Sequence, residues 1–482
     1  MYDTIIIGND LSSLIAALIL SRHGKKTVLL SENDHTNIFS DSQYTFNCDP
    51  FPLTGFGLNQ NCSRLFTDLQ IPLTELPDTQ IVNPGLQIIL PDHRIDCFFE
   101  KDALLKDLER EFPLYTDEIH KFYSSVLKIS YQLHKRISEN PTIYPRTFKD
   151  FFEYLKIIPL LIRERLSILK YFRSLKKNPA LCRLFEAEMA VLSNIHEATG
   201  KCSLLSAYIL SLPMRGVYYN NGSNDLLRTI RSNFEKFGGL IINNCSVIRT
   251  CVSKEIDINI KAQDTLSAIR GKYLIVSTKS NSLKLLIENN RKLAYLNRKL
   301  KSTKTAYYPF TIHMGVHEKC IPEKMGHYVV IIGDKDRPAI DNNLVFLEIS
   351  TTDDTKRVPC GKRALSATAF LQESPSTLND GELKGVSTAI FESVETCLPF
   401  LNENLDYFNI QKSIELSRRC QEVINQKYRM RYDPLFGISK ISNKTSVRNV
   451  FMTGGMLMAG LGFEGEILSG MNAANAVLEQ EE

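Results

Sequence analysis

Thr4-Ile5-Ile6-Ile7-Gly8-Asn9-Asp10-Leu11-Ser12-Ser13-Leu14-Ile15-Ala16-Ala17 is the stretch whose reading decides the fold. Its first four residues are a β-branched, apolar run, as expected of a central parallel strand buried on both faces. Gly8 ends the run. Leu11, Leu14, Ile15, Leu18 and Ile19 then recur at helical spacing, and Ala16-Ala17 allow close packing. Gly24 caps this helix, and Thr27 to Leu30 reads as a second strand. Strand, tight turn, helix and strand in this order open a Rossmann-type sheet.

The turn departs from the usual G-x-G-x-x-G. Gly8-Asn9-Asp10-Leu11-Ser12-Ser13 keeps only the first glycine. The second glycine normally lets a pyrophosphate approach the helix N-terminus, and here Asp10 puts a carboxylate there. Two like charges about 4 Å apart cost about 4 kcal/mol at an effective dielectric of about 20. Ser13 replaces the third glycine, a modest enlargement. The acid that binds ribose normally ends the second strand. That position aligns with Ser31, and Glu32 follows one residue late. Two readings stand on these residues: an FAD site with altered contacts, Asp10 turned away, or a Rossmann fold that has lost its nucleotide.

At the other end, Val450-Phe451-Met452 reads as a strand, followed by Thr453-Gly454-Gly455 and Ala459-Gly460-Leu461-Gly462-Phe463-Glu464-Gly465. A helix of small residues follows, with Ser469-Gly470 and Ala473-Ala474. A glycine-rich loop opening a helix presents backbone N–H groups to an acceptor. The arrangement resembles the flavin-binding C-terminus of the phytoene desaturase, carotenoid isomerase and amine oxidase families. Other stretches resemble these families in the same order: the hairpin Leu86 to Phe98, Glu111-Phe112-Pro113, Tyr218 to Ser223, Gly238 to Val247, Tyr273 to Ser277, and Pro359 to Lys362. The resemblance covers nearly the whole chain.

The resemblance implies an α/β protein in which a Rossmann-type FAD/NAD(P)-binding domain is interleaved with an α+β substrate domain. The first would comprise 1–75, 215–285 and 435–482, the second 76–214 and 286–434. It implies FAD as cofactor, held by Gly8, Asp10, Leu11, Ser12, Ser13, Ser31, Glu32, Val247, Gly454, Gly455, Gly462, Phe463 and Glu464. It further implies a desaturase, saturase or isomerase acting on a hydrophobic polyene or isoprenoid-like substrate. The aspartate of the family's C-terminal Gly-Asp pair is Gly455 here. Rab GDP-dissociation inhibitors resemble this fold and work without flavin, so a non-catalytic relative that binds a lipid or a protein is the second expectation.

Residues 145–177 interleave Arg and Lys with aromatic and aliphatic residues. Such a segment suits an anionic membrane surface, the mouth of an apolar channel, or a packing helix with a solvated basic face. Pro159 predicts a break into two helices. The 482 residues carry a net charge of only +4, and the basic run is too short for a nucleic-acid footprint. Eleven Cys without a C-x-x-C pair suit a reducing, cytoplasmic setting rather than a disulfide framework. Leu11 to Leu20 is too short, and too poorly flanked by positive charge, for a signal peptide. No stretch reaches the roughly 18 uncharged apolar residues of a membrane span. His313, His317 and Cys320 have metal-like spacing, but on a strand His313 and His317 would lie about 13 Å apart, so no metal is expected. No catalytic acid or base stands out.

Overall fold

The structure is a computed structural model and describes residues 1–32, 38–72, 79–139, 148–196, 204–220, 225–263, 265–288, 290–422, 424–429 and 441–481. The opening run forms the strand Tyr2–Ile7, with Thr4 to Ile7 all buried. It pairs in parallel with Thr27–Leu30 on one side and with the far end of Thr265–Ser277 on the other. Leu240–Ile242 extends the sheet beyond Thr27–Leu30. Val450–Thr453 returns from the C-terminal region to pair with Leu274 to Ser277. The near end of Thr265–Ser277 joins Ile256–Ala262 and Cys245–Val252 in an antiparallel meander. These seven strands form one Rossmann-type sheet. The opening helix, Leu11–Arg22, is buried from Leu11 to Ser21 because it lies against both the sheet and the C-terminal helix Gly462–Leu478.

The second sheet has eight strands, in the order Leu405–Phe408, Lys304–His317, Lys362–Leu371, Leu344–Ile349, Tyr328–Ile332, Leu86–Leu90 and His93–Cys97, with Lys427–Arg429 beside Lys304–His317. The last two strands of that order are the hairpin read from the sequence. A three-stranded sheet of Leu53–Thr54, Val217–Asn220 and Thr79–Val82 draws on both chain sets. The seven-stranded sheet comes wholly from 1–75, 215–285 and 435–482, and the eight-stranded sheet from 76–214 and 286–434. We propose that division as the domain boundary. Two of its limits, near 75 and 435, fall outside the described residues, as do Asn221 to Ser223 of the loop read from the sequence.

Phe148–Leu175 is one helix running through Pro159, whereas the sequence predicts two. A proline removes one intrahelical donor and crowds the preceding turn. Here Pro159 lies on the exposed face, while Leu161, Ile168, Phe172 and Leu175 on the opposite face are buried. That packing anchors the half of the helix that follows Pro159, and the helix continues through the proline on its exposed face.

Candidate cofactor cleft

Gly8 closes the first strand with φ of 142°. A Cβ there would lie 2.6 Å from both Ser13 Oγ and Ser277 Cβ, so the turn admits only glycine. Asp10 follows as the N-cap of the opening helix. Its Oδ1 accepts from Ser13 N at 2.8 Å and Ser12 Oγ at 3.0 Å, and its Oδ2 from Ser277 Oγ. The carboxylate is therefore turned back onto its own helix and the neighbouring strand. Such a cap stabilises by about 1 kcal/mol. It also occupies an N–H that a bound phosphate would otherwise take. Ser12 and Ser13 are fully buried behind it, and Ser13 Oγ has no hydrogen-bond partner.

At the end of the second strand, Ser31 is fully buried, its N–H donating to Ile242 O and its carbonyl accepting from Cys245 N. Glu32, not Ser31, reaches the cleft. Its carboxylate accepts from Ser280 Oγ at 2.6 Å, Asn281 N at 3.0 Å, Ser282 N at 3.2 Å and Ser282 Oγ. It caps the helix Ser282–Glu288, so it too is turned to its own framework.

The C-terminal loop is held close by glycine. A Cβ at Gly454 would sit 2.0 Å from Thr278 Oγ1, and one at Gly462 would sit 2.2 Å from Leu192 O. A Cβ at Gly455 would sit 2.8 Å from both Glu466 Oε1 and Asn425 Oδ1. The carboxylate of Glu466 thus stands in the space where the resemblance expects an aspartate side chain from position 455. Glu464 is fully buried elsewhere: its Oε2 accepts from Asn61 Nδ2 at 2.8 Å and Tyr208 OH at 3.0 Å.

Between the two glycine turns lies a cleft of about 1360 Å³, part of it open to solvent. Of the residues singled out in the sequence, it brings together Gly8, Asp10, Leu11, Glu32, Gly462 and Phe463. Ser12, Ser13, Ser31, Val247, Gly454, Gly455 and Glu464 are not among its lining residues. Val247 lies in the meander, paired with Ile260. Sequence reasoning missed Asp49, Lys279, Asn425 and Glu466, which do line it. Only Glu466 carried a signal, as a second carboxylate at the start of the glycine-rich helix.

Charge is concentrated here. Lys279 Nζ lies 3.5 Å from Glu466 Oε1. Burial works to lower the pKa of Lys279, but Glu466, Tyr428, Asp10 and Asp49 outweigh it and hold the value above that of an ordinary lysine. Burial raises both Asp49 and Glu466, with Lys279 opposing in each case. Behind the wall, burial pulls Lys427 down to about 7 against the attraction of Asp49. Its ammonium donates to Ser193 O at 2.6 Å and lies 5.1 Å from the ring centroids of both Phe51 and Phe370.

His313 and His317 lie on one strand, and buried His313 meets Ser366 Oγ at 3.3 Å. Among the described residues no cluster of His, Cys, Asp or Glu could hold a metal ion.

The cleft is the candidate dinucleotide site. Its turns at Gly8 and Gly462 border it, each held to glycine by close protein neighbours. Asn425 Oδ1 in its wall is buried with no hydrogen-bond partner, as expected of an atom awaiting a polar ligand. Fold and cleft together define the class: a dinucleotide-binding fold of the flavin-linked oxidoreductase type. No family model matches the chain. Within that fold class the chain shows distant similarity to proteins named as a prolycopene isomerase and an inactive retinol reductase. It is 21% identical over 378 residues to prolycopene isomerase 1, chloroplastic, of an Oncidium hybrid cultivar, covering 75% of this chain and 62% of that protein. It is 24% identical over 270 residues to the inactive all-trans-retinol 13,14-reductase of Danio rerio, covering 52% and 43%. The chain thus spans less than two thirds of the length of these relatives. An oxidoreductase structure from Methanosarcina mazei superposes with a TM-score of 0.60 at 13% identity, over 98% of this chain and 100% of that one.

Proposed function

We propose that the chain is an FAD-dependent oxidoreductase, a desaturase, saturase or isomerase, acting on a hydrophobic polyene or isoprenoid-like substrate. The observation that carries this reading is the cleft between the Gly8 turn and the Gly462 loop. Gly8 and the start of the opening helix would hold the pyrophosphate, and Gly462 and Phe463 the flavin ring. Lys279 would offset phosphate charge, and Glu466 would take the part of the aspartate absent at 455. Bound flavin supplies the hydride chemistry, and the protein supplies orientation and a dry site. Phe51, Leu53, Val191 and Leu192 give the cleft an apolar wall suited to excluding water from a polyene. A cytoplasmic setting with peripheral membrane contact through 145–177 belongs to the same proposal. Among the described residues no helix is long and apolar enough to cross a membrane. The test is a visible spectrum of protein from a host supplied with riboflavin. The visible absorbance of oxidised flavin, with FAD released on denaturation, is expected of a flavoprotein. A colourless protein with no response to added FAD would overturn the reading.

A second reading is favoured by the inward turn of both Asp10 and Glu32: a non-catalytic relative whose carboxylates cap the helices in place of a nucleotide. The word "inactive" in the name of the Danio rerio relative makes this reading worth separating. It requires that replacing Asp10 creates flavin affinity where there was none.

A further inference from the structure

The helix Phe148–Leu175 has two apolar faces, one buried and one largely exposed. Leu161, Ile168, Phe172 and Leu175 are buried. Phe152, Leu155, Pro159, Ile162 and Leu166 recur at spacings of three and four, which is the period of a single helical stripe. They fall on the opposite side. Phe152 and Leu166 are each 62% exposed, and Leu155 and Ile162 each 44%. Four large apolar side chains aligned on one face differ from singly scattered ones, which need no explanation.

Lys156, Arg163, Lys170 and Arg173 are exposed on the same side. Arg163 is 74% exposed even while bonded to Glu164, whose own side chain is only 8% exposed. The helix therefore offers water an apolar stripe bordered by cations, with its described acid turned inward. A second copy of the chain would set these cations against their like. An anionic bilayer would neutralise them and take up the stripe, the arrangement of helices that lie in the membrane interface.

We propose that this face of Phe148–Leu175 docks on anionic lipid. The inference rests on the proposed function only for the reason a bilayer would be visited, since the surface itself is independent of flavin.

The test is co-sedimentation of the full chain with vesicles of phosphatidylcholine alone and of phosphatidylcholine with phosphatidylglycerol. Binding is expected to the second and to be released by salt. Each cation near an anionic surface is worth about fivefold in partitioning. The combined Lys156→Gln, Arg163→Gln, Lys170→Gln and Arg173→Gln variant should therefore bind at least about 100-fold more weakly. Leu155→Ser, Ile162→Ser and Leu166→Ser together should also abolish binding while changing the melting temperature little, because these side chains are already largely exposed. Absence of vesicle binding, or binding that survives both variants, would overturn the proposal. So would a wild-type dimer in sedimentation equilibrium that the serine variant dissociates, because the face would then belong to a second copy. Absorbance of the same samples reads flavin separately. A colourless protein that binds vesicles defeats the flavin reading alone, and a yellow protein that stays in the supernatant defeats the membrane contact, here and in the proposed function, while leaving the flavin reading standing.

Discussion

Asp10 occupies the position where a glycine would admit a phosphate, and its two oxygens go to Ser12, Ser13 and Ser277. The substitution was plain in the sequence, but the direction of the side chain was not, because Ser277 lies 267 positions away. Glu466 stood in the legible glycine-rich stretch, but only the fold shows its carboxylate beside Gly455. Gly8 was legible outright. Gly8→Ala should cost roughly 3 kcal/mol or more in denaturant unfolding, since the added methyl meets two side chains on a backbone of positive φ. Gly24→Ala, at φ of 74° with nothing within 4 Å, should cost only about 1–2 kcal/mol. Lys427 gives a pH prediction. Its folded pKa of about 7 lies below the ordinary 10.5. Between these values the unfolded chain holds a proton that the folded chain has released, so this group makes stability rise with pH. Relative to Lys427→Met, the wild type should gain stability from pH 7 to 9. A constant difference across that range would contradict the assignment.

The two helices that start at the cleft were legible as elements. The opening helix announced itself by apolar spacing, the C-terminal helix by its glycine-rich entry and small residues. Their mutual packing was implied only by Ala16-Ala17 and Ser469-Gly470. In the structure a Cβ at Gly470 would lie 2.4 Å from Ser12 O and 2.8 Å from Ile15 Cβ. Gly470→Ala should therefore separate the helices, cost about 1–3 kcal/mol, and weaken FAD binding, since both helix starts move. Unchanged stability by urea titration would count against the close packing. The long helix Phe148–Leu175 shows the limit of element reading. Pro159 is a strong local breaker, yet the helix continues through it with the proline on the exposed face.

At the scale of the molecule, the order of family-like stretches implied a Rossmann-type domain interleaved with a second one, and the seven-stranded sheet is of that type. The chain's own couplings were not legible. Arg357 is fully buried and joins Thr45 O at 3.0 Å, Tyr219 OH at 2.6 Å and the Glu348 carboxylate. No spacing in the sequence announces a cluster drawn from four separate stretches. We propose that the cleft between the two glycine turns is a flavin site whose pyrophosphate contact has been reshaped by Asp10. The most direct test follows melting temperature against FAD concentration for the wild type and for Asp10→Gly. A ligand that binds only the folded chain stabilises it by about 2.7 kcal/mol at a hundredfold excess over its Kd. The wild type should therefore melt at progressively higher temperature with added FAD, and Asp10→Gly should reach the same shift at lower concentration. A wild type that ignores FAD while Asp10→Gly responds would mark a site that has closed. Two proteins that both ignore it would contradict the cleft as a flavin site.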